Sequence, residues 1–194
     1  MSLLKDKFRD VKVILASGSP RRQELLKGLD IPFVIKLKEV NEVYPSDLEE
    51  AAITEYLAEL KASVFTDIKD DELLITADTI VWLGGKALMK PIDAQDAKKL
   101  LQTISGKVHK VFTSVCLKSK AKTRVFSDVT NVFFKELSDD EIDYYVDNYK
   151  PFDKAGAYGA QDWIGYIAIE KLEGSYFNVM GLPVHKLYKE LLNF

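Results

Sequence analysis

The chain has one cysteine and two histidines in 194 residues. An internal disulfide is therefore impossible, and three such side chains cannot close a tetrahedral zinc site. The lone thiol, Cys116 in KVFTSVCLK, sits among strand-like residues, so an inert buried thiol is expected rather than a nucleophile. No apolar run is long enough to cross a membrane, and the opening MSLLKDKFRD lacks the apolar centre of a signal peptide. A reducing cytoplasm is the expected compartment. No G-x-x-x-x-G-K-[ST] loop occurs. Excess positive charge is missing as well: 27 Lys and Arg against 30 Asp and Glu leave a net charge of −3, so no general basic field attracts nucleic acid. Any anion binding has to be local. Repeats, low-complexity stretches and long linkers are absent, which points to a single domain over residues 1–194, large enough for a real core.

What is present is an alternation. Strand-like runs lie at 12–16, 33–38, 73–83, 110–118, 123–134 and 164–169, and helix-like runs at 20–29, 47–66, 93–104, 138–149 and 183–193. Asp47, Asp93 and Ser138 read as helix N-caps, Ser138 forming a capping box with Glu141. Ile53, Leu57, Leu60 and Val64 share one helix face, and Tyr144, Tyr145 and Tyr149 another. Around KSKAKT two long strands are expected, as an antiparallel hairpin or a β extension. The expected fold is α/β, a mixed twisted sheet flanked by helices.

The segment VILASGSPRRQELLKGL reads as strand, turn and helix, with Ser19 as N-cap and Pro20 at the first helical position. Arg21 and Arg22 then stand at the positive end of the helix dipole, at a cost of some tenths of a kcal/mol each. Either a bound anion offsets that cost, or both guanidiniums point into solvent. In LLITADTIVWLGG, Asp78 interrupts an apolar run where a carboxylate is expensive unless it is paired or holds a metal. KEVNEVYPSD offers Glu39, Glu42 and Asp47, AELKAS places Lys61 on a helix, and ALMKPID places Lys90 before a proline. The small residues of DKAGAYGAQDW, with Asp153, Lys154, Tyr158 and Gln161 among them, suit a ligand-facing loop. His109 and His185 are expected to be satisfied structural histidines.

The set LASGSPRRQELL, ADTIV, KPID, SGKVHKVFTSV, FDKAGAYGAQ and GSYFNVMGLPV, in this order, resembles the Maf family of nucleoside triphosphate pyrophosphatases, from about Ile14 to Leu191. The resemblance implies an inosine triphosphatase-like fold with two lobes around a central cleft. It implies cleavage of a nucleoside triphosphate to monophosphate and pyrophosphate with Mg²⁺ or Mn²⁺, and a homodimer. By this resemblance Ser17, Arg21 and Arg22 match the anion-binding loop, Lys61 and Lys90 further substrate-binding lysines, Asp78 the catalytic aspartate, and Glu42 with Asp78 the metal ligands. Arg22, Thr79 and Gln161 match the positions that mark the dTTP/UTP-cleaving branch. Met89 stands where the family usually has Gly, and Ala160 where Ile is common. The implied roles are exclusion of non-standard nucleotides from nucleic acid and cell-division arrest. The alternative is a non-catalytic, nucleotide-binding regulator of septum formation.

Overall fold

The structure is a computed structural model that describes residues 3–194. In chain order the elements are α1 (Leu3–Lys7), β1 (Lys12–Leu15), α2 (Pro20–Lys27), β2 (Phe33–Ile35), α3 (Ala51–Ser63), β3 (Glu72–Leu83), β4 (Lys86–Leu88), α4 (Ala94–Ile104), β5 (Val108–Lys118) and β6 (Thr123–Phe134). They are followed by α5 (Asp139–Tyr149), a 3-10 turn at Ala155–Ala157, α6 (Trp163–Ala168), β7 (Ile169–Glu173), α7 (Tyr176–Val179) and α8 (Val184–Asn193). The strands form one mixed sheet in the order β2-β1-β3-β5-β6-β7, with β4 paired to β3. β1 is parallel to both β2 and β3, whereas β4 on β3 and β7 on β6 are antiparallel. The expected α/β class with a mixed sheet is what the chain adopts.

The chain divides into two compact units. One comprises the residues up to Asp78, Thr113–Asp128 and Gly181–Phe194, and the other Thr79–Phe112 and Val129–Met180. Each has its own core. In the first, Ile14 and Leu74 of the sheet bury against Ala58, Ala62 and Phe65, and Cys116 joins them, fully covered. Burial pushes its thiol up to about 11, so the thiolate that reactivity requires is scarce, as expected of an inert cysteine. In the second, Val81, Val111, Val132 and Phe134 bury against Leu101 of α4, Ile142 and Val146 of α5, and Ile164 of α6. Among the described residues no helix is long and apolar enough to cross a membrane.

Local chemistry accounts for most element ends. Asp93 accepts from the Asp96 N–H, and Ser138 with Glu141 forms the full capping box. The β5–β6 hairpin closes where Ser119 N–H donates to Lys122 O at 2.9 Å. Four expectations need correction. Asp47 caps nothing: a positive φ of 50° at Glu50 turns the chain, and α3 starts only at Ala51. Residues 164–168 are helical, with Ile164 and Ala168 buried four positions apart and Tyr166 83% exposed; a strand would put all three on one face. The strand comes next, as β7. Of the three tyrosines on α5 only Tyr145 is buried; Tyr144 and Tyr149 are largely exposed and pack edge-to-face on Trp163 and stacked on Tyr145. His185 is likewise exposed rather than enclosed, 3.7 Å from Asp128 Oδ2.

Candidate active site

In the first unit the site is built around Asp78. β3 is buried continuously from Glu72 through Asp78, and Asp78 itself is only 7% exposed. An ionised carboxylate in such a strand needs a partner. Thr76 Oγ1 donates to Ala58 O at 2.6 Å, which sets α3 against β3 and brings position 61 alongside position 78. There Lys61 Nζ donates to Asp78 Oδ1 at 2.7 Å and lies 2.9 Å from Glu42 Oε2. Glu42 comes from the long loop after β2, which Lys38 ties to the end of α3 by donating to Val64 O. Two carboxylates from distant parts of the chain thus converge on one cation. Among the described residues no cluster of three or more His, Cys, Asp and Glu side chains is placed to hold a metal ion. A pair of carboxylates does meet the requirement of Mg²⁺, which is commonly held by one or two carboxylates plus substrate phosphates.

The turn between β1 and α2 lies in the same unit. Ser17 is buried, its Oγ accepts from Ser19 N–H at 3.3 Å, and its carbonyl accepts from Gln23 Nε2. Ser19 occupies the N-cap position with Pro20 after it, yet its hydroxyl makes no capping bond. Arg22 answers the electrostatic puzzle of the helix start in its own way. Its Nε donates to Gly181 O at 2.7 Å and its Nη1 to Ala77 O at 2.8 Å, so main-chain carbonyls receive the charge. One of those carbonyls immediately precedes Asp78 in β3. Burial lowers the Arg22 pKa, the charge of Asp78 opposes that shift, and Arg21 beside it adds to the lowering.

In the second unit Lys90 is exposed in the loop after β4. The preceding Met89 carbonyl accepts from Gly156 N–H at 3.2 Å, which joins that loop to the turn of AGAYGAQ. Gly156 has φ +67°, and a Cβ there would lie 2.8 Å from Val81 Cγ2, so the turn rests directly on β3. Tyr158 Oη and His109 Nε2 share a 2.8 Å hydrogen bond inside the core, and burial pushes the His109 pKa down to about 4. His109 is therefore a neutral core residue at physiological pH, although its Nδ1 has no hydrogen-bond partner among the described residues. Gln161 Nε2 donates to Asp162 Oδ1 at 3.1 Å, while Gln161 Oε1 is buried with no partner among the described residues.

The family model described as "Maf-like protein" matches residues 12–194. The chain belongs to the Maf-like family. It is 55% identical over 192 residues to a protein of Flavobacterium psychrophilum named dTTP/UTP pyrophosphatase, covering 98% of each chain. A protein of the same name from Flavobacterium johnsoniae is 53% identical, covering 97% of this chain and 98% of its own. Among solved structures, the Ham1 protein of Staphylococcus aureus matches at TM-score 0.45 and 12% identity over 63% of this chain and 71% of its own.

Of the residues that the Maf-like resemblance singles out, the structure brings Asp78, Lys61 and Glu42 into contact and fixes Arg22 against the strand that bears Asp78. Ser17 lies on the turn into α2, and Arg21 and Arg22 in the first turn of that helix. Thr79, Lys90 and Gln161 belong to the second unit, Thr79 being the residue that follows Asp78 in β3. Sequence reasoning missed the surroundings of Gln161, namely Asp162 and Tyr145. The only local signal was an Asp before an apolar run, which reads as a helix cap, but the Asp162 side chain makes no capping bond.

Proposed function

We propose that this chain is a nucleoside triphosphate pyrophosphatase that hydrolyses dTTP and UTP to the monophosphate and pyrophosphate. The observation that carries the reading is the contact of Asp78, Lys61 and Glu42 in an otherwise apolar setting, together with the name borne by relatives more than half identical over nearly the whole chain. In this reading water attacks the α-phosphorus, the bond from that phosphorus to the bridging oxygen breaks, and pyrophosphate departs with that oxygen. Asp78 orients the water and takes its proton through the oxygen that Lys61 does not engage. Lys61 holds Asp78 in place, and with Arg21 and Lys90 it offsets charge on the departing pyrophosphate. Arg22, committed to Ala77 O and Gly181 O, holds the turn and the strand together and adds its positive charge from there. Ser17 shapes the turn into α2.

Glu42 and Asp78 are the residues that would hold a divalent cation, Mg²⁺ or Mn²⁺, with the phosphates completing its shell. Such an ion supplies Lewis-acid polarisation of the phosphoryl oxygens when bound. The ammonium of Lys61 between the two carboxylates supports reading them as a pair suited to a shared cation. For the base, Gln161 has a buried acceptor, without a partner among the described residues, suited to the N3–H of uracil or thymine. Thr79 lies beside the catalytic aspartate as a further substrate contact.

The test is incubation with UTP and Mg²⁺, with and without a chelator, followed by identification of products. UMP and pyrophosphate, lost on chelation, are expected. UDP with inorganic phosphate would exclude cleavage at this position, and binding without turnover would favour the regulator reading.

A further inference from the structure

Gln161 sits in a polar network that fixes which end of its carboxamide is turned away from Asp162. A glutamine side chain has an acceptor oxygen and a donor NH₂ that are nearly equal in shape, so a base-reading glutamine is informative only if its neighbours forbid the flip. Here the neighbour is Asp162. A carboxylate accepts and does not donate, so the group facing Asp162 Oδ1 at 3.1 Å has to be the NH₂ of Gln161. The oxygen of Gln161 then points the other way, buried and without a partner among the described residues.

Asp162 is itself held. Tyr145 Oη donates to Asp162 Oδ2 at 2.8 Å, and the direction of that bond is set by Gly159 N–H, which donates to the same Oη at 3.2 Å. Burial, and then the bond to Asp162, raise the Tyr145 pKa, so the phenol keeps its proton. Lys154 Nζ stands 3.7 Å from Asp162 Oδ2, with both side chains largely covered. The pair lies over the α-carbon of Gly159. A Cβ there would be 2.6 Å from Asp162 Oδ2 and 2.8 Å from Gln161 Nε2, so a residue larger than glycine would push the two apart. Asp162 directly precedes α6 and would ordinarily cap it, yet it makes no capping bond. Its carboxylate serves Tyr145 and Gln161 instead.

We infer that Asp162, oriented by Tyr145, is a positioning residue for base selection: it locks the Gln161 carboxamide with its oxygen turned away from Asp162, so that the site accepts a base with an N–H donor and rejects one with a bare ring nitrogen. This rests on the reading of Gln161 as the base-contacting residue. Uracil and thymine carry N3–H beside an acceptor at position 4. Cytosine carries the reverse, an unprotonated N3 beside an amino group, and would require the flipped amide.

Asp162→Asn makes the inference directional. The Tyr145 proton still needs an acceptor, so the oxygen of the introduced amide turns to Tyr145 and its NH₂ turns to Gln161. Gln161 then flips its oxygen inward and presents its NH₂ to the base. The steady-state kcat/KM values for UTP and CTP are to be measured for the unmodified protein, Gln161→Ala, Asp162→Asn and the reversed pair Gln161→Glu/Asp162→Asn, each with a thermal unfolding curve. The expected result is a UTP:CTP ratio that falls at least tenfold in Asp162→Asn, with CTP improving in absolute terms and the change residing in KM. A merely structural lesion would lower both substrates and leave CTP no better. In the reversed pair an amide donates to a carboxylate, an acceptor again faces outward, and the preference for UTP is expected to return. That variant decides the matter even if Asp162→Asn alone fails to fold. If Gln161→Ala collapses the ratio while Asp162→Asn leaves it within twofold, or the reversed pair behaves like Gln161→Ala, the lock is overturned and the base-reading role stands. If Gln161→Ala itself leaves the ratio unchanged, both are overturned.

Discussion

Asp78→Asn and Lys61→Met should separate catalysis from stability, because the two residues of one ion pair carry opposite burdens. Lys61→Met leaves the Asp78 carboxylate, 9% exposed, without its cation. Breaking a buried pair in this way costs about 3–5 kcal/mol. Glu42 is 44% exposed and water relieves it, and Lys61 is itself 15% exposed, so the lower end applies. A loss of about 3 kcal/mol is expected. Asp78→Asn instead removes the charge that was costly to bury. Its amide oxygen still accepts from Lys61, and Lys61 keeps Glu42, so the cost should stay near or below ~1 kcal/mol. For a chain of this length, 1 kcal/mol corresponds to roughly 2–4 °C in Tm, so with about 2 kcal/mol between them the two variants should melt about 4–8 °C apart, Asp78→Asn the higher. Turnover should run in the other direction, with Asp78→Asn losing on the order of 10³-fold on every triphosphate, the scale of a lost general base. Urea unfolding and pyrophosphate release on UTP measure the two quantities. The assignment fails if Asp78→Asn is as destabilised as Lys61→Met, or if it keeps turnover within tenfold of the unmodified protein.

His109 predicts a pH dependence of stability. Its folded pKa, about 4, lies below the ordinary value of 6.5, so below pH 6.5 the unfolded chain takes up a proton that the folded chain refuses. Stability from this group is complete above pH 6.5 and falls as the pH drops toward 4, by at most about 3 kcal/mol. His109→Gln should flatten that part of the profile in urea unfolding at pH 7.5 and 4.5, and an unaltered slope would show that another group is responsible. Gly165→Ala places a Cβ 2.0 Å from Ala160 O and 2.6 Å from its carbonyl carbon, atoms of the main chain that cannot swing aside, so a loss above ~3 kcal/mol or failure to fold is expected. Gly18→Ala, whose nearest contact is 3.6 Å from a flexible Leu37 methyl, is the control and should stay within about 1 kcal/mol in the same melts.

Much of the fold was legible because the deciding interactions are local. The boundaries of α4 and α5 follow from Asp93 and Ser138, whose side chains reach N–H groups three residues on. The buried strands β1 and β3 announce themselves as apolar runs, the second interrupted at Asp78, since both faces are covered. Where local signals were short or double-edged the reading slipped. The run WIGYIA suits a strand or a helix equally, and the close approach of Gly165 to the Ala160 carbonyl belongs to the helical form. Asp47 has the chemistry of a cap, but the left-handed backbone of Glu50 ends the loop three residues later.

For the site, the sequence alone determined the residue types and one strong oddity, a carboxylate in the middle of an apolar strand. Its composition and motifs also marked the Maf-like family without any coordinates. Only the tertiary structure decided what those charges do. Glu42, Lys61 and Asp78 are separated by 19 and 17 positions, and no periodicity relates a loop, a helix and a strand until α3 packs on β3. Arg22 reads as an anion ligand in sequence because the helix start is positive, yet in the fold it meets two main-chain carbonyls that no side-chain pattern encodes. The same holds for Gln161: its identity was visible, but the direction of its amide depends on Asp162, Tyr145 and the bare α-carbon of Gly159, and hydrogen-bond direction is a property of neighbours in space.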